Sequence, residues 1–178
     1  MQMTEFRPVL LLLLGLLLIA CRGGNKESSE ISTVNQAVRE SLIEANKQLN
    51  LGESEEIDLY LLQKGLKMKQ TGTGLRYLIQ SQGTGKQASA GMRASVRFTL
   101  SLLNGKTCYS SDSTGIEEFL IDQDEVESGL HEGIKLLREG DRAKFILPSH
   151  LAHGLMGDND CIPARSPVVY DIELLKLK

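Results

Sequence analysis

The apolar residues between positions 31 and 68 recur at helical spacing. Ser54 to Met68 forms one such stretch, with Glu55 and Glu56 near its start, where carboxylates favour a helix N-terminus. Gly52 separates it from an earlier stretch, whose apolar residues step by three or four positions: Ile31, Val34, Val38, Leu42, Ala45 and Leu49. The pattern predicts a helical segment over residues 31–70, broken at Gly52. It either packs against the rest of the chain or pairs two copies as a homodimer.

Beyond residue 74 the polarity alternates with the period of two that is typical of β-strands. Apolar and polar residues alternate from Val96 to Leu102, Asn104-Gly105 favours a tight hairpin, and the chain returns through Ser110. Further strands are predicted at residues 75–79, 143–147 and 168–177. One short helix begins near Ser128 and is expected to end at Gly140. The fold class is α+β: an antiparallel sheet packed on one short helix, preceded by an N-terminal helical segment.

A long apolar run lies near the start of the chain. Residues 9–21 carry no charge, follow Arg7, and are too few for the roughly 20 residues of a membrane-spanning helix, so they indicate a secretory signal. The run ends in Leu18-Ile19-Ala20-Cys21, which resembles the bacterial lipobox, where cleavage precedes a lipidated cysteine. An ordinary signal peptide with an incidental Cys21 is the alternative.

The lipobox interpretation sets the expected location. It predicts a lipoprotein signal peptide over residues 1–20, lipidation of Cys21 and a flexible tether over residues 21–30. The three acyl chains that a lipobox implies make a permanent anchor, since stable anchoring needs at least two. We therefore expect a protein of the cell envelope that is held on a membrane and faces the periplasm.

Charge and composition exclude several other functions. Lys and Arg total 20 against 23 Asp and Glu, a formal net charge of −3, which argues against nucleic acid as a partner. Three cysteines without a Cys-x-x-Cys pair exclude a zinc ribbon. His150 and His153 are three residues apart, with Asp158 and Asp160 close behind, but no helical scaffold is evident there. We expect neither a metal nor a cofactor.

The order of the motifs after residue 74 carries a family resemblance. V-x-F-T, N-G and S-S are followed by E-V-x-x-G-L-x-E-G-I-x-x-L-x-x-G-D-R-A-K-F-I-L-P-S, then L-A-H-G and I-P-x-x-x-P-V-V-Y-D-I-E-L-L-K-L-K. Residues 74–178 thereby resemble the FK506-binding (FKBP) family of peptidyl-prolyl cis-trans isomerases, most closely its bacterial lipoprotein members, including those associated with gliding motility. The resemblance implies a five-stranded antiparallel sheet wrapped around one short helix.

The resemblance also implies an activity. Rotation about an X–Pro amide has a barrier of about 18–20 kcal/mol. Water contributes to the support of the planar state by solvating the charge-separated amide. A dry apolar pocket removes that support and favours the twisted amide, so no nucleophile, metal or cofactor is required. The implied partners are proline-containing polypeptides, as in the folding of exported proteins.

The resemblance assigns pocket positions residue by residue. It implies catalytic roles for Phe98, His153 and Tyr170. Substrate contacts are implied for seven others: Cys108, Tyr109, Phe119, Val126, Glu127, Leu130 and Ile162.

Several of these residues depart from the family pattern. Leu130 replaces a tryptophan floor, Cys108 a phenylalanine and Tyr109 an aspartate. His153 replaces a tyrosine that bonds the substrate carbonyl, and Glu127 an isoleucine whose N–H binds ligand. The loss of large aromatic surfaces supports an alternative function, a catalytically weak or inactive adaptor or holdase with the same fold.

The family fold also implies that Cys108 and Cys161 both face the pocket. Two states are open: a disulfide, which an oxidising exported location would preserve, or two buried thiols.

Overall fold

The secondary structure is a mixture of helices and antiparallel strands, seen in a computed structural model that describes residues 25–178. Its elements are α1 (Asn25–Lys64), β1 (Lys69–Gln70), β2 (Arg76–Ser81), β3 (Arg93–Leu102), β4 (Thr107–Ser110), α2 (Ser111–Thr114), β5 (Glu117–Leu120), α3 (Ser128–Ile134), β6 (Arg142–Leu147) and β7 (Val168–Leu177). The α+β class is confirmed. The predicted signal peptide and Cys21 lie outside the described residues, in which no helix is long and apolar enough to cross a membrane.

The strands form one antiparallel sheet in the order β1-β2-β6-β7-β3-β4. β4 pairs with the second half of β3 and β5 with the first half, so β4 and β5 share one edge position that α2 interrupts. The sheet therefore has seven strands where five were predicted. The two additional strands are the two-residue β1 and β5, which shares the divided edge with β4.

The N-terminal helical segment is a single helix, α1. The chain forms two compact units, and the boundary between them lies within α1, after Gln48. The predicted break at Gly52 is wrong, because one interior glycine costs a helix only about 1 kcal/mol relative to alanine. α1 also begins at Asn25, inside the segment predicted as a flexible tether. In the unit that ends at Gln48, the side chains of Leu42 and Ile43 are more than half exposed.

A buried charge holds the last part of α1 to the sheet. The guanidinium of Arg76 on β2 is only 4% exposed. It donates hydrogen bonds to the carbonyl oxygen of Gly74 at 2.9 Å, to Oγ of Ser54 at 3.0 Å and to Oδ1 of Asp58 at 3.0 Å. Arg76 and these three partners are called the anchor below. Each of the three acceptors satisfies part of a charge that would be costly to bury alone.

Other contacts reinforce the anchor. Ile57 is fully buried against Ile146 of β6 and Val169 of β7. The carboxylate of Glu53 accepts hydrogen bonds from the N–H of Ser149 at 2.8 Å and from its hydroxyl at 2.6 Å. Packing of the N-terminal helical segment on the main domain is therefore confirmed for the part of α1 that follows Leu49.

The main core lies against the opposite face of the sheet, under α3. Leu130 and Ile134 of α3 are buried in one cluster with Phe145 of β6. A Cβ at Gly133 would lie 2.7 Å from the Phe145 ring, so only glycine allows the helix to approach this closely. The helix can therefore position the residues at its N-terminus over the sheet.

The end of α3 differs from the prediction. The helix ends at Ile134, whose carbonyl accepts the N–H of Leu137 in a tight turn, so the predicted cap at Gly140 is wrong. Gly140 has a φ of 93° and lies in the turn before β6, where its N–H donates to the carbonyl of Leu174 at 2.7 Å. Its conformation serves the entry to the strand.

Candidate active site

Two aromatic side chains on neighbouring strands form the base of a cleft. The β3–β7 register places Leu100 opposite Tyr170 and Phe98 opposite Ile172. Phe98 and Tyr170 are therefore diagonal neighbours on one face of the sheet. Their ring centroids are 5.6 Å apart and their planes are inclined by 49°. Tyr170 is buried and Phe98 half-buried, which leaves an apolar surface open on one side.

The cleft over these rings has a volume of about 530 Å³. One wall consists of the consecutive residues 114–118, which were not assigned to the site from the sequence. The sequence signal for this wall is a serine and a glycine that flank a short helix. Ser110 caps α2 by accepting the N–H of Asp112, and Gly115 follows its last residue. The structure also brings five predicted pocket residues into the lining: Phe98, Tyr109, Glu127, His153 and Tyr170.

Glu127 links three parts of the cleft. It precedes the first residue of α3, and its side chain is only 15% exposed. Its Oε1 accepts a hydrogen bond from the Tyr170 hydroxyl at 2.8 Å. Nε2 of His153 lies 3.0 Å from the same oxygen, yet this buried nitrogen makes no hydrogen bond of suitable geometry with any described residue. Burial raises the pKa of Tyr170, and the nearby Glu127 carboxylate raises it further, so the hydroxyl remains a donor.

A second tyrosine–carboxylate pair lies beside the first. The hydroxyl of Tyr109 donates to Oδ2 of Asp158. Burial alone would raise the pKa of Asp158, but this hydrogen bond and those from the N–H groups of Asp160 and Ile162 lower it to about 2. The same hydrogen bond is the main cause that raises the pKa of Tyr109 to about 12. At neutral pH the pair is therefore a neutral donor and a charged acceptor.

A disulfide joins Cys108 on β4 to Cys161 in the loop before β7, with the two Cα atoms 5.5 Å apart. Of the two states left open by the sequence, the structure has the bridge. The loop folds back at Gly157, which has a φ of 68° and where a Cβ would collide with the carbonyl of Ile162. The disulfide and the tyrosine–aspartate hydrogen bond together tie the loop to the wall of the cleft.

Two further carboxylates line the cleft from β5. Glu118 accepts hydrogen bonds from the Ser95 hydroxyl at 2.7 Å and from the Lys178 ammonium at 3.3 Å, and these lower its pKa. The Glu117 carboxylate makes no hydrogen bond or salt bridge with the residues that the structure describes. Burial raises the pKa of Glu117, and the nearby charge of Glu127 raises it further. The two neighbours on β5 thus differ in how well their charges are compensated.

The other predicted pocket residues lie behind the lining. Leu130, Ile162 and Phe119 are at most 2% exposed. Val126 and Cys108 are half-buried against the same core cluster. These five side chains support the aromatic base and are absent from the surface of the cleft.

The two histidines noted as a potential metal pair have different neighbours. Nε2 of His150 lies 3.0 Å from the carbonyl of Thr73, whereas Nε2 of His153 faces Glu127. Within residues 25–178, no group of three or more His, Cys, Asp or Glu side chains could hold a metal ion.

Comparison with known sequences identifies relatives of this domain. The family profile described as FKBP-type peptidyl-prolyl cis-trans isomerase matches residues 84–175, just over half of the chain. A probable FKBP-type isomerase of Haemophilus influenzae is 35% identical over 113 residues, which cover 63% of this chain and 46% of that protein. FkpA of Buchnera aphidicola subsp. Schizaphis graminum is 33% identical over 159 residues, which cover 85% of this chain and 62% of that protein. The chain thus spans less than two thirds of either relative.

Solved structures show the same fold. A peptidyl-prolyl cis-trans isomerase of Pseudomonas syringae pv. tomato superposes with a TM-score of 0.61 and 26% identity, covering 71% of this chain and 94% of that structure. FkpA of Escherichia coli superposes with a TM-score of 0.63 and 23% identity, covering 99% of this chain and 84% of that structure.

Proposed function

Because the chain belongs to the FKBP-type peptidyl-prolyl cis-trans isomerase family, we propose that it accelerates the cis–trans isomerisation of X–Pro bonds in polypeptide clients. The observation that carries this proposal is the cleft over Phe98 and Tyr170, which lies in the domain that matches the family. Uncatalysed isomerisation takes tens to hundreds of seconds, which is slow enough to limit the folding of a polypeptide, so even a modest acceleration is useful.

The geometry suits a mechanism without covalent chemistry. A prolyl ring placed on Phe98 and Tyr170 leaves water, which solvates the charge-separated planar amide better than the twisted amide. Loss of this solvation lowers the barrier to rotation. The Tyr170 hydroxyl is held by Glu127, so the ring is fixed in orientation. The cleft binds and desolvates the client, and bond rotation needs no proton transfer.

Two-dimensional NMR exchange on a peptide containing Leu-Pro tests this proposal. Micromolar full-length protein should raise the exchange rate above background. Phe98→Leu removes the ring and should lower the acceleration up to about tenfold, because aromatic packing contributes about 0.5–1.5 kcal/mol beyond buried area. The matched change Tyr77→Leu, outside the cleft lining, should retain it. No acceleration by the wild type would refute the proposal.

We also propose that the protein is a lipoprotein of the cell envelope, anchored at Cys21 and related to the bacterial lipoprotein branch of the family. The lipobox-like sequence supports this location. The Cys108–Cys161 disulfide supports it independently, since disulfides persist mainly in exported proteins. Metabolic labelling with a fatty acid should mark the wild type and not Cys21→Ser. Equal labelling of both proteins, or of neither, would refute lipidation at Cys21.

Two copies of the chain are proposed to pair through α1. Val38, Leu42 and Ile43 are 53%, 59% and 58% exposed, and burial of such side chains yields roughly 25 cal/mol per Å². Light scattering should give the mass of a dimer for the wild type and of a monomer for a variant with all three changed to serine. A monomeric wild type would refute the pairing.

A non-catalytic holdase is the second candidate. Ile116 in the cleft wall is 54% exposed, and Leu155 and Met156, in the loop that contains His153, are 60% and 76% exposed. Such apolar side chains could hold an unfolded client without isomerising it. Suppression of client aggregation without faster proline-limited refolding would favour this function over the first.

A further inference from the structure

The cleft has an aromatic base and an acidic lining. Three acidic residues line it, and none of the lining residues in the described part of the chain is a lysine or arginine. The Glu127 side chain is only 15% exposed, and it lies between the Tyr170 hydroxyl and His153. A client that enters the cleft therefore meets negative charge beside the surface expected to hold its proline.

The three carboxylates are not equally compensated by the protein. Glu118 is paired with Lys178 and Ser95. Glu127 accepts the Tyr170 hydroxyl and lies 3.0 Å from Nε2 of His153. The Glu117 carboxylate has neither a hydrogen bond nor a salt bridge within the described part of the chain. Glu117 and Glu127 line the same cleft. Burial raises the pKa of Glu117, and the like charge of Glu127 raises it further. A cation between them would remove this repulsion.

We propose that the cleft selects X–Pro segments that carry a lysine or arginine directly beside the proline. The inference rests on the proposed isomerase function and names its substrate class. The cationic group would lie near Glu117 and Glu127, and its aliphatic stem would pack against Phe98 and Ile116. Partial exclusion of water in the cleft strengthens such an ion pair relative to an exposed one.

Exchange and titration NMR on full-length protein test the proposal with matched peptides. The peptides contain lysine, norleucine or glutamate at the position before or after one proline. Norleucine keeps the aliphatic stem of lysine and removes its charge. We expect lysine to exceed norleucine about tenfold in rate or affinity in at least one position, since hydrogen bonds to charged groups contribute about 1.5–3 kcal/mol. The ratio should fall as salt is added.

Two neighbouring variants identify the carboxylate responsible. Glu117→Gln should lower the lysine-to-norleucine ratio severalfold, whatever the absolute rates, and the charge of Glu127 should account for the remainder. Glu118→Gln is the matched control on the same strand and should retain most of the ratio, because Glu118 is already paired. Equal loss of the ratio in both variants would overturn the assignment to Glu117.

The outcomes separate this inference from the isomerase function. Acceleration of lysine and norleucine peptides to the same extent, with equal affinities, would overturn the preference and leave the isomerase proposal standing. Tighter binding of the lysine peptide without any acceleration would support the preference and overturn the isomerase proposal. Binding of norleucine or glutamate peptides more tightly than lysine peptides in both positions would overturn the preference.

Discussion

Two charged clusters in this protein are built in opposite ways. In the anchor, the Arg76 guanidinium is almost fully buried and donates to three acceptors around it. In the cleft, Glu127 has a single hydroxyl donor beside His153, and the Glu117 carboxylate has no partner among the described residues. Both clusters remove charged groups from water, but only in the anchor do hydrogen bonds within the protein replace the lost hydration.

The difference separates a structural role from a functional one. A charge that serves the fold is satisfied within the fold, because an unpaired buried charge lowers stability. A charge held in a cleft with incomplete compensation is typical of a site that awaits a ligand. By this criterion the anchor holds α1 to the sheet, and Glu117 and Glu127 are available to a client.

The largest expected effect concerns the covalent link beside the cleft. Changing both Cys108 and Cys161 to alanine should lower the free energy of unfolding by roughly 4 kcal/mol, because the bond closes a loop of 53 residues. Urea denaturation measures the loss. Hydrogen exchange should increase in residues 152–167 while the anchor remains protected. A stability equal to the wild type would show that the loop is held by its other contacts.

Breaking the anchor should have the next largest effect. Arg76→Met keeps the volume of the side chain and removes its hydrogen bonds, which should cost about 2 kcal/mol in urea denaturation. Asp58→Asn is the control and should cost less than about 1 kcal/mol, since Asp58 is 60% exposed. The isomerisation rate should be the same in both variants and the wild type. A loss of rate in Arg76→Met would contradict the division of roles.

Removing one hydroxyl from the cleft should have a smaller effect. Tyr170→Phe deletes the donor to Glu127 and should lower the free energy of unfolding by about 1 kcal/mol. The control Tyr77→Phe removes a hydroxyl from a half-buried tyrosine outside the cleft lining and should be close to neutral. Thermal denaturation at matched pH compares the two. Equal stability of both variants would mean that the hydrogen bond from Tyr170 to Glu127 does not stabilise the protein.

The smallest effect is a pH dependence with a defined sign. Burial and Glu127 raise the folded-state pKa of Glu117, so its stabilising contribution is present below its unfolded pKa and is lost as pH rises through the folded pKa. Glu117→Gln should therefore gain a few tenths of a kcal/mol relative to the wild type between pH 4 and pH 7. Glu118→Gln should show the opposite trend, because the folded pKa of Glu118 is lowered. The same trend in both variants would refute this account.

Periodicity was sufficient to predict most of the sheet. The alternation from Val96 and from Val168 is local, and β3 and β7 contain it. Strand β5 was not predicted, since its four residues do not alternate clearly and pair with β3 some 20 residues away. Gly52 misled the prediction because its penalty is small beside the contacts that Ile57 and Arg76 make with the rest of the protein.

The polar network of the cleft could not be predicted from the sequence. Phe98 and Tyr170 were assigned through the family resemblance, and the β3–β7 register explains their proximity. The hydrogen bond from Tyr170 to Glu127 joins residues 43 apart, and no local pattern specifies it. Nor does the sequence show that Lys178 compensates Glu118 and not Glu117. Such pairings depend on the tertiary fold.

The most direct test of the different roles of the anchor and the cleft is an NMR titration. Isotopically labelled full-length protein is titrated with a Lys-Pro peptide, and the chemical shifts of the protein's backbone amides are recorded. We predict saturable changes in residues 114–118 and at Glu127 and His153, with no change at Ser54, Asp58 or Arg76. Changes centred on the anchor, or no saturable change at millimolar peptide, would contradict the claim that the cleft carries the client-binding charge.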